Sequence, residues 1–314
     1  MNHQTFDVRT ILGLTAAAAC WGTATVITKS VLTSIPPITL LVIQLAFSLS
    51  LLWMLVYLQG KPLLGKSELL KVGLIGLLNP GISYTLSLVG LATTTASMAT
   101  LLWASEPVLI LGLAWLMLRE RPTSNLIIFS LIAVTGVILV SGSAANGVAG
   151  SSVSGSLFIL GGVLCCALYT VLVRHMDSAV EPLTAVALQQ VFALLWALVI
   201  WPLELSGNNP MSLLQLGVTD WFWAGISGVV YYAIAFWFYL HGLTRTKASL
   251  AGLFINLTPI FGISAAYLFL GERLTPIQWI GGWTVLLAVF AILLRGDRSV
   301  IQATPSKSLG LIAK

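Results

Sequence analysis

Leu88–Thr123 reads LVGLATTTASMATLLWASEPVLILGLAWLMLRERPT, and Leu240–Thr275 reads LHGLTRTKASLAGLFINLTPIFGISAAYLFLGERLT. Laid over each other without gaps at an offset of 152, they share 15 of 36 residues. The shared positions include Gly90/Gly242, Ala96-Ser97 over Ala248-Ser249, Pro107/Pro259 and Glu120-Arg121 over Glu272-Arg273. Nearer the start the offset is 145. There Thr25/Thr170, Pro37/Pro182, Thr39/Thr184 and Gln44/Gln189 coincide, and Lys29 meets Arg174. The change of offset places an insertion of seven residues between the seventh and eighth apolar runs. A repeat of this length means two copies of one unit.

The composition says what kind of unit. Of 314 residues, 58% are hydrophobic and 8% charged, with a mean hydropathy of +0.98. Globular domains carry about 25% charged residues, so this chain cannot cover its surface with polar groups in water. A disordered chain, a nucleic-acid binder and a disulfide scaffold are excluded. The pI is near 9.2, but the net charge is only +5 and no basic stripe is clustered as phosphate binding requires. Cys20, Cys165 and Cys166 lie in apolar runs without metal-ligand spacing and read as small buried residues.

A helix needs about 20 mostly apolar residues to cross the hydrocarbon. Ten runs qualify, at about 10–31, 38–58, 69–90, 94–118, 124–142, 155–174, 182–203, 219–241, 247–269 and 276–295. Their lack of alternation excludes barrel strands. Apolar runs of this length mean helices, because lipid offers no partner for a free backbone group. The first run continues past Cys20 to about Val31 and reads as an uncleaved span rather than a signal peptide.

With a cytoplasmic N-terminus, 13 of the 15 Lys and Arg residues fall inside, and only Lys29 and Arg273 fall outside. That asymmetry supports both chain ends on the cytoplasmic side. Five is an odd number, so the two copies enter the membrane in opposite directions. The expected architecture is all-α and polytopic: residues 1–146 form one five-helix repeat, 147–300 its inverted partner, and 301–314 a cytoplasmic tail. Inverted repeats around a midplane site are a recurrent plan of secondary transporters.

The order of these motifs resembles the EamA-type branch of the drug/metabolite transporter superfamily. The resemblance rests on Ala96-Ser97, Glu106-Pro107 and Glu120 in one half. In the other it rests on Ala248-Ser249, Thr258-Pro259 and Gly271-Glu272-Arg273. It covers nearly the whole chain, although Arg119 stands where the second copy has Gly271. The resemblance implies an inner-membrane carrier that exports amino acids or other small metabolites.

An ionisable group inside the hydrocarbon is costly and therefore a functional candidate. Glu106 sits near the middle of the fourth run, where burial disfavours its charged form. It suits binding of a proton or a substrate ammonium; the competing reading is a neutral Glu that satisfies backbone groups freed by Pro107. Trp21, Thr25, Thr28 and Lys29 share one helix face. Lys29 either snorkels to the outer headgroups, the favoured reading, or draws a carboxylate to the outer mouth.

A transporter pocket needs aromatic walls and a few polar anchors, and aromatic faces hold ammonium cations. Trp21, Thr25, Tyr84, Ser97, Trp103, Glu106, Tyr169, Trp237 and Asn256 are the candidate substrate-binding residues. Pro80, Pro107 and Pro259 are candidate bending points, with Asn79-Pro80-Gly81 marking a helix break. Trp201, Trp221, Trp223 and Trp279 suit an interfacial belt.

Gly60–Ser67 (GKPLLGKS) matches the phosphate-loop pattern, but that motif works only between a strand and a helix of an α/β domain. Its lysines fit better as topology markers. The sequence therefore predicts a secondary transporter without cofactor, metal or nucleic-acid partner, in contact with lipid and a small-molecule substrate; a monomer and a homodimer both fit. Amino-acid export by alternating access leads. Import or exchange of sugars, nucleosides or nucleotide sugars is one alternative, and a lipid-handling or structural membrane protein another.

Overall fold

Apolar side chains without polar alternation leave the main chain one economical solution in lipid, a helix that pairs its own N–H and C=O groups. The computed structural model describes residues 8–60, 66–118, 124–142, 152–173, 181–207, 216–243, 254–255 and 257–295, in helices joined by turns and short irregular links. The helices are α1 (Val8–Val31), α2 (Pro37–Gln59), α3 (Lys66–Leu74), α4 (Ser83–Ala92), α5 (Ala96–Trp103), α6 (Glu106–Leu118) and α7 (Ser124–Gly142). There follow α8 (Val153–Val173), α9 (Pro182–Gly207), α10 (Val218–Gly228), α11 (Ala235–Leu243), α12 (Thr258–Leu270) and α13 (Pro276–Arg295).

Seven helical stretches among the described residues are long and apolar enough to cross a membrane: Val8–Val31, Pro37–Gln59, Leu69–Ala92, Ala96–Met117, Val153–Val173, Pro182–Ser206 and Val218–Gly242. Each matches one of the expected spans. Over the remaining three stand shorter apolar helices, Ile127–Val140, Thr258–Leu270 and Pro276–Ala291. The chain is an all-α polytopic membrane protein. Its outer surface carries exposed Leu116, Leu131, Val199, Leu268 and Phe269, a contiguity of apolar area that suits acyl chains rather than water.

Three of the crossing stretches are not uniform helices. Leu69–Ala92 passes from α3 through a single 3₁₀ turn (Ile75–Leu77) and a π-helical segment (Leu78–Ile82) into α4. Asn79 within it is extended, at φ −145° and ψ 119°, so the break expected at Asn79-Pro80 is present. Val218–Gly242 holds a second π segment, Val229–Ile234. At an offset of 152 the two π segments coincide to within one residue.

The third interruption differs from expectation. The chain does not bend at Pro107 inside one helix; α5 ends at Trp103 and a new helix starts at Glu106. The reason is local. The Ser105 hydroxyl donates to the Leu102 carbonyl at 2.6 Å, which competes with helix continuation. Pro107 then occupies the first turn of α6, where its missing N–H costs nothing. Pro259 sits equivalently in the first turn of α12.

Packing crosses between the two copies. α2 runs antiparallel to α9. Glu204, near the end of α9, accepts from Ile38 N (2.9 Å) and Thr39 N (2.8 Å) at the start of α2. At the other end Leu183 and Ala187 pack on Leu52 and Val56. α3 and its 3₁₀ turn lie on α9, while α10 lies on α2. Both approaches go through glycine. A Cβ at Gly76 would strike the main chain of Gln189; one at Gly228 would lie 2.5 Å from Gln44 Cα. A turn earlier, Gly73 faces the Phe192 ring and Gly225 the Phe47 ring. Buried polar bonds cross the same region: Ser48 Oγ donates to Gln190 Oε1 at 2.8 Å and Gln190 Nε2 to the Tyr232 carbonyl at 2.8 Å.

Candidate functional site

The π segment at 229–234 turns Tyr231 and Tyr232 toward α4. The Tyr84 ring receives both edge-on, with centroids 5.4 Å and 5.0 Å away, and stacks on Trp103 at 5.6 Å. These four rings close a cavity of about 30 Å³ whose remaining walls include Thr25 and Ser87. That is room for about one water. The Ser87 hydroxyl is buried without a partner, packed toward Gly162 of α8. π segments inside helices recur at functional sites because they redirect side chains out of the helical register.

One α-turn beyond Trp103, Glu106 opens α6. Its Oε1 accepts from the Cys166 thiol of α8 at 3.4 Å. Thr170, one turn along α8, donates to the Cys166 carbonyl at 3.0 Å. Glu106 remains partly accessible, as do Trp103 and Tyr231, whereas Tyr232 and Cys166 are buried. The break at 104–105 therefore matters chemically. It places the carboxylate in the first turn of a helix, where the N-terminal dipole favours negative charge.

Trp21, on α1, packs edge-on against Phe236 at 5.3 Å and obliquely against Tyr239 at 5.6 Å. Thr25 lines the cavity while donating to the Trp21 carbonyl at 2.9 Å. Tyr169 donates to Gln189 Oε1 at 2.9 Å. Thus Thr25, Tyr84 and Trp103 come together, with Glu106 beside Cys166 at the next turn. Trp237 does not join them. It is 42% exposed and stacks on His241 at 5.9 Å, because its neighbours Phe236 and Tyr239 take the inward face of α11. Asn256 lies outside the described residues.

Ser97 has a different environment. It lies at the α5 N-terminus, where the carboxylate of Glu272 accepts from Ala96 N (2.8 Å), Ser97 N (2.9 Å) and Ser97 Oγ (2.7 Å). Lys29 does not snorkel. Its ammonium donates to the carbonyls of Leu91 (2.8 Å) and Ala92 (3.2 Å) at the C-terminal end of α4. A cation and an anion, from α1 and from just beyond α12, thus grip the two sides of the α4–α5 turn, each at the helix end whose dipole attracts it. At the same level Ser152 Oγ donates to Thr93 Oγ1 at 3.0 Å.

The belt tryptophans behave as expected for Trp221, Trp223 and Trp279, which are each more than 40% exposed. Trp201 instead donates its indole N–H to Thr39 Oγ1 at 2.8 Å. A larger hollow, about 190 Å³, lies between α12 and α13 against Leu101 of α5, without Glu106 in its lining, with Ile260, Trp279 and Trp283 half-exposed on its rim. It is a groove on the lipid side. The phosphate-loop look-alike falls partly outside the described residues; Gly60 is the αL cap of α2 and Lys66 begins α3.

The EamA-like transporter family model matches residues 8–142 and again residues 153–294. The chain belongs to the EamA-like transporter family. It is a secondary transporter of small molecules across a membrane, and the two matches cover the two copies read from the repeat. The chain is 28% identical over 297 residues to the uncharacterized transporter YvbV of Bacillus subtilis, with 94% of this chain and 93% of YvbV covered. The uncharacterized transporter YetK of the same organism is 24% identical over 293 residues, 90% of this chain and 86% of YetK. An uncharacterized transporter of Archaeoglobus fulgidus is 24% identical over 281 residues, 87% of this chain and 94% of its own. A solved crystal structure superposes with a TM-score of 0.64 over 92% of this chain and 97% of that one. At 17% identity that likeness is one of fold alone.

Beyond the candidate substrate-binding residues, Cys166, Ser87 and Tyr231 stand at this centre. Cys166 looked like packing.

Proposed function

We propose that this EamA-like protein has ten spans in two inverted five-helix halves, 1–146 and 147–300, with both ends in the cytoplasm and residues 301–314 as a tail. The supporting observation is the crossed pair of contacts, Gly76 on Gln189 and Gly228 on Gln44. Gly76 and Gly228 are related by the offset of 152, and Gln44 and Gln189 by 145. Each half thus touches the other with the same two positions, as a two-fold axis in the membrane plane requires.

On this reading the Lys29 end is the outer face, and the Lys29 and Glu272 bonds are an outer latch, shut in this conformation. Glu106, Tyr231 and Trp103 keep partial access at mid-depth while Thr94, Ser97 and Met98 above them are buried. Such a molecule loads from the cytoplasm and releases outward when the latch opens. Its activity is export, across the inner membrane, of small amphipathic metabolites of the amino-acid kind, held through their ammonium group at Glu106. Trp21, Thr25, Tyr84, Trp103 and Tyr169 form the walls; Pro80, Pro107 and Pro259 mark where helices give. Trp237 and Ser97 act outside the pocket, one at the lipid face and one in the latch.

The test is counterflow of labelled amino acids in proteoliposomes holding the full chain. Glu106→Gln is expected to lower the rate by at least about tenfold, the loss of one charge-assisted contact. Failure of every amino acid and amine to exchange, or an unchanged rate in Glu106→Gln, refutes this function.

A further inference from the structure

The centre is unequal in charge. Glu106 brings a carboxylate. Among the described residues the polar groups next to it, Cys166 and Thr170 on α8, are neutral, as is Thr25 in the adjoining cavity. No Lys or Arg among the described residues reaches it. Lys29 is committed to the carbonyls of Leu91 and Ala92. Arg273 lies at the outer surface, 4.7 Å above the Tyr267 ring, with Nη1 donating to that phenol at 3.2 Å. Arg9 and Lys71 belong to the opposite ends of their spans.

This matters because a zwitterion carries two charges into the pocket. Its ammonium meets a carboxylate and the faces of Tyr84, Trp103 and Tyr231, all of which favour a cation. Its carboxylate meets, among the described residues, neutral hydroxyls, ring faces that repel an anion, and Glu106 itself. A buried carboxylate without a cation bears its full desolvation penalty. The Ser87 hydroxyl, buried without a partner beside Gly162 at the adjoining cavity, brings no positive charge.

We propose that the pocket prefers primary amines and amino acids whose carboxyl is masked as an amide, and holds those with a free carboxylate less tightly. This rests on the reading of Glu106 as the ammonium site and narrows the substrates that site accepts. The aromatic walls set the other end of the molecule: an apolar or aromatic group stacks between Trp103 and Tyr231 once the halves part.

Binding to the purified full chain in detergent tests it, with phenethylamine, phenylalaninamide and phenylalanine as matched probes. The two amines are expected to bind at least about tenfold tighter than phenylalanine, a difference of roughly 1.4 kcal/mol. Glu106→Gln removes that preference, and Glu106→Asp, which keeps the charge, retains it in weakened form. Phenylalanine binding as tightly as the amines overturns the charge rule but leaves an amino-acid carrier standing. Binding of none of the three overturns the Glu106 site itself. A preference for amines that persists in Glu106→Gln, in protein that stays monodisperse, places recognition elsewhere and also refutes the proposal.

Discussion

Replacing Glu272 by Gln strips the charge from a carboxylate that accepts three bonds at the α5 N-terminus, from Ala96 N, Ser97 N and Ser97 Oγ, at 2.7–2.9 Å. The amide has one acceptor oxygen, so at least one backbone N–H loses its partner and the other bonds become neutral. Hydrogen bonds to charged groups contribute about 1.5–3 kcal/mol and neutral ones about 0.5–1.5. Part of this loss is recovered by water reaching the opened helix end. A net 1–2 kcal/mol is a fair value for the latch, which shifts the ratio of open to closed by roughly 5–30-fold. The assay is labelling of Ser87→Cys, a buried site just beneath the latch, by a membrane-impermeant maleimide added outside. The rate follows the open population when opening is faster than labelling. It is expected to rise 5–30-fold in Glu272→Gln, measured against the same background with Ser87 retained. A rate unchanged or lower, in protein correctly inserted, refutes the latch.

Lys29→Met is expected to raise the same labelling rate, and combining it with Glu272→Gln to give less than the sum of the two energies, since both hold one turn; strict additivity in the double-mutant cycle argues that they act separately. Gly228→Leu drives a side chain into the Gln44 main chain and should cost more than the usual 1–3 kcal/mol of overpacking, read as loss of monodisperse protein; Gly112→Ala, inside α6 with nothing within 4 Å of its Cβ, is expected to raise the melting temperature slightly, by the roughly 0.5–1 kcal/mol that Ala gains over Gly in a helix. Gln190→Leu removes the partner of Ser48 and of the Tyr232 carbonyl; a loss of about 1–3 kcal/mol is expected, visible as a lower midpoint in thermal melts of detergent-solubilised protein.

The repeat and the apolar runs carried the helices because both are properties of the chain alone. Asn79-Pro80-Gly81 likewise announced its break. The break at Ala104–Ser105 was hidden because it depends on which of two competitors wins: a serine hydroxyl taking a carbonyl, or a helix continuing to the proline. The site was legible in part. Tyr84, Trp103 and Glu106 could be read from depth and chemistry, since charge and aromatic mass at mid-span need a reason. Cys166 and Ser87 gave no such signal; a thiol or a hydroxyl in a helix satisfies itself locally as often as not, and only the facing helix decides. Trp237 shows the converse. Its depth matched the pocket, but helical phase turned it outward. Lys29 was visible as an exception to the charge pattern and Glu272 as part of the repeated Glu-Arg pair, yet their partners are largely main-chain atoms, which no residue-type reasoning can find.

The crossed glycine contacts have a mechanical consequence. Gly76 and Gly228 press on the backbones of Gln189 and Gln44 with no side chain between, so at these two points the seam has no rotamers to rearrange. Prising it apart would expose peptide groups to hydrocarbon along two helices at once. Motion that keeps the seam shut is a roll of one surface over the other, and a roll about a line at mid-depth necessarily narrows one mouth as it widens the other.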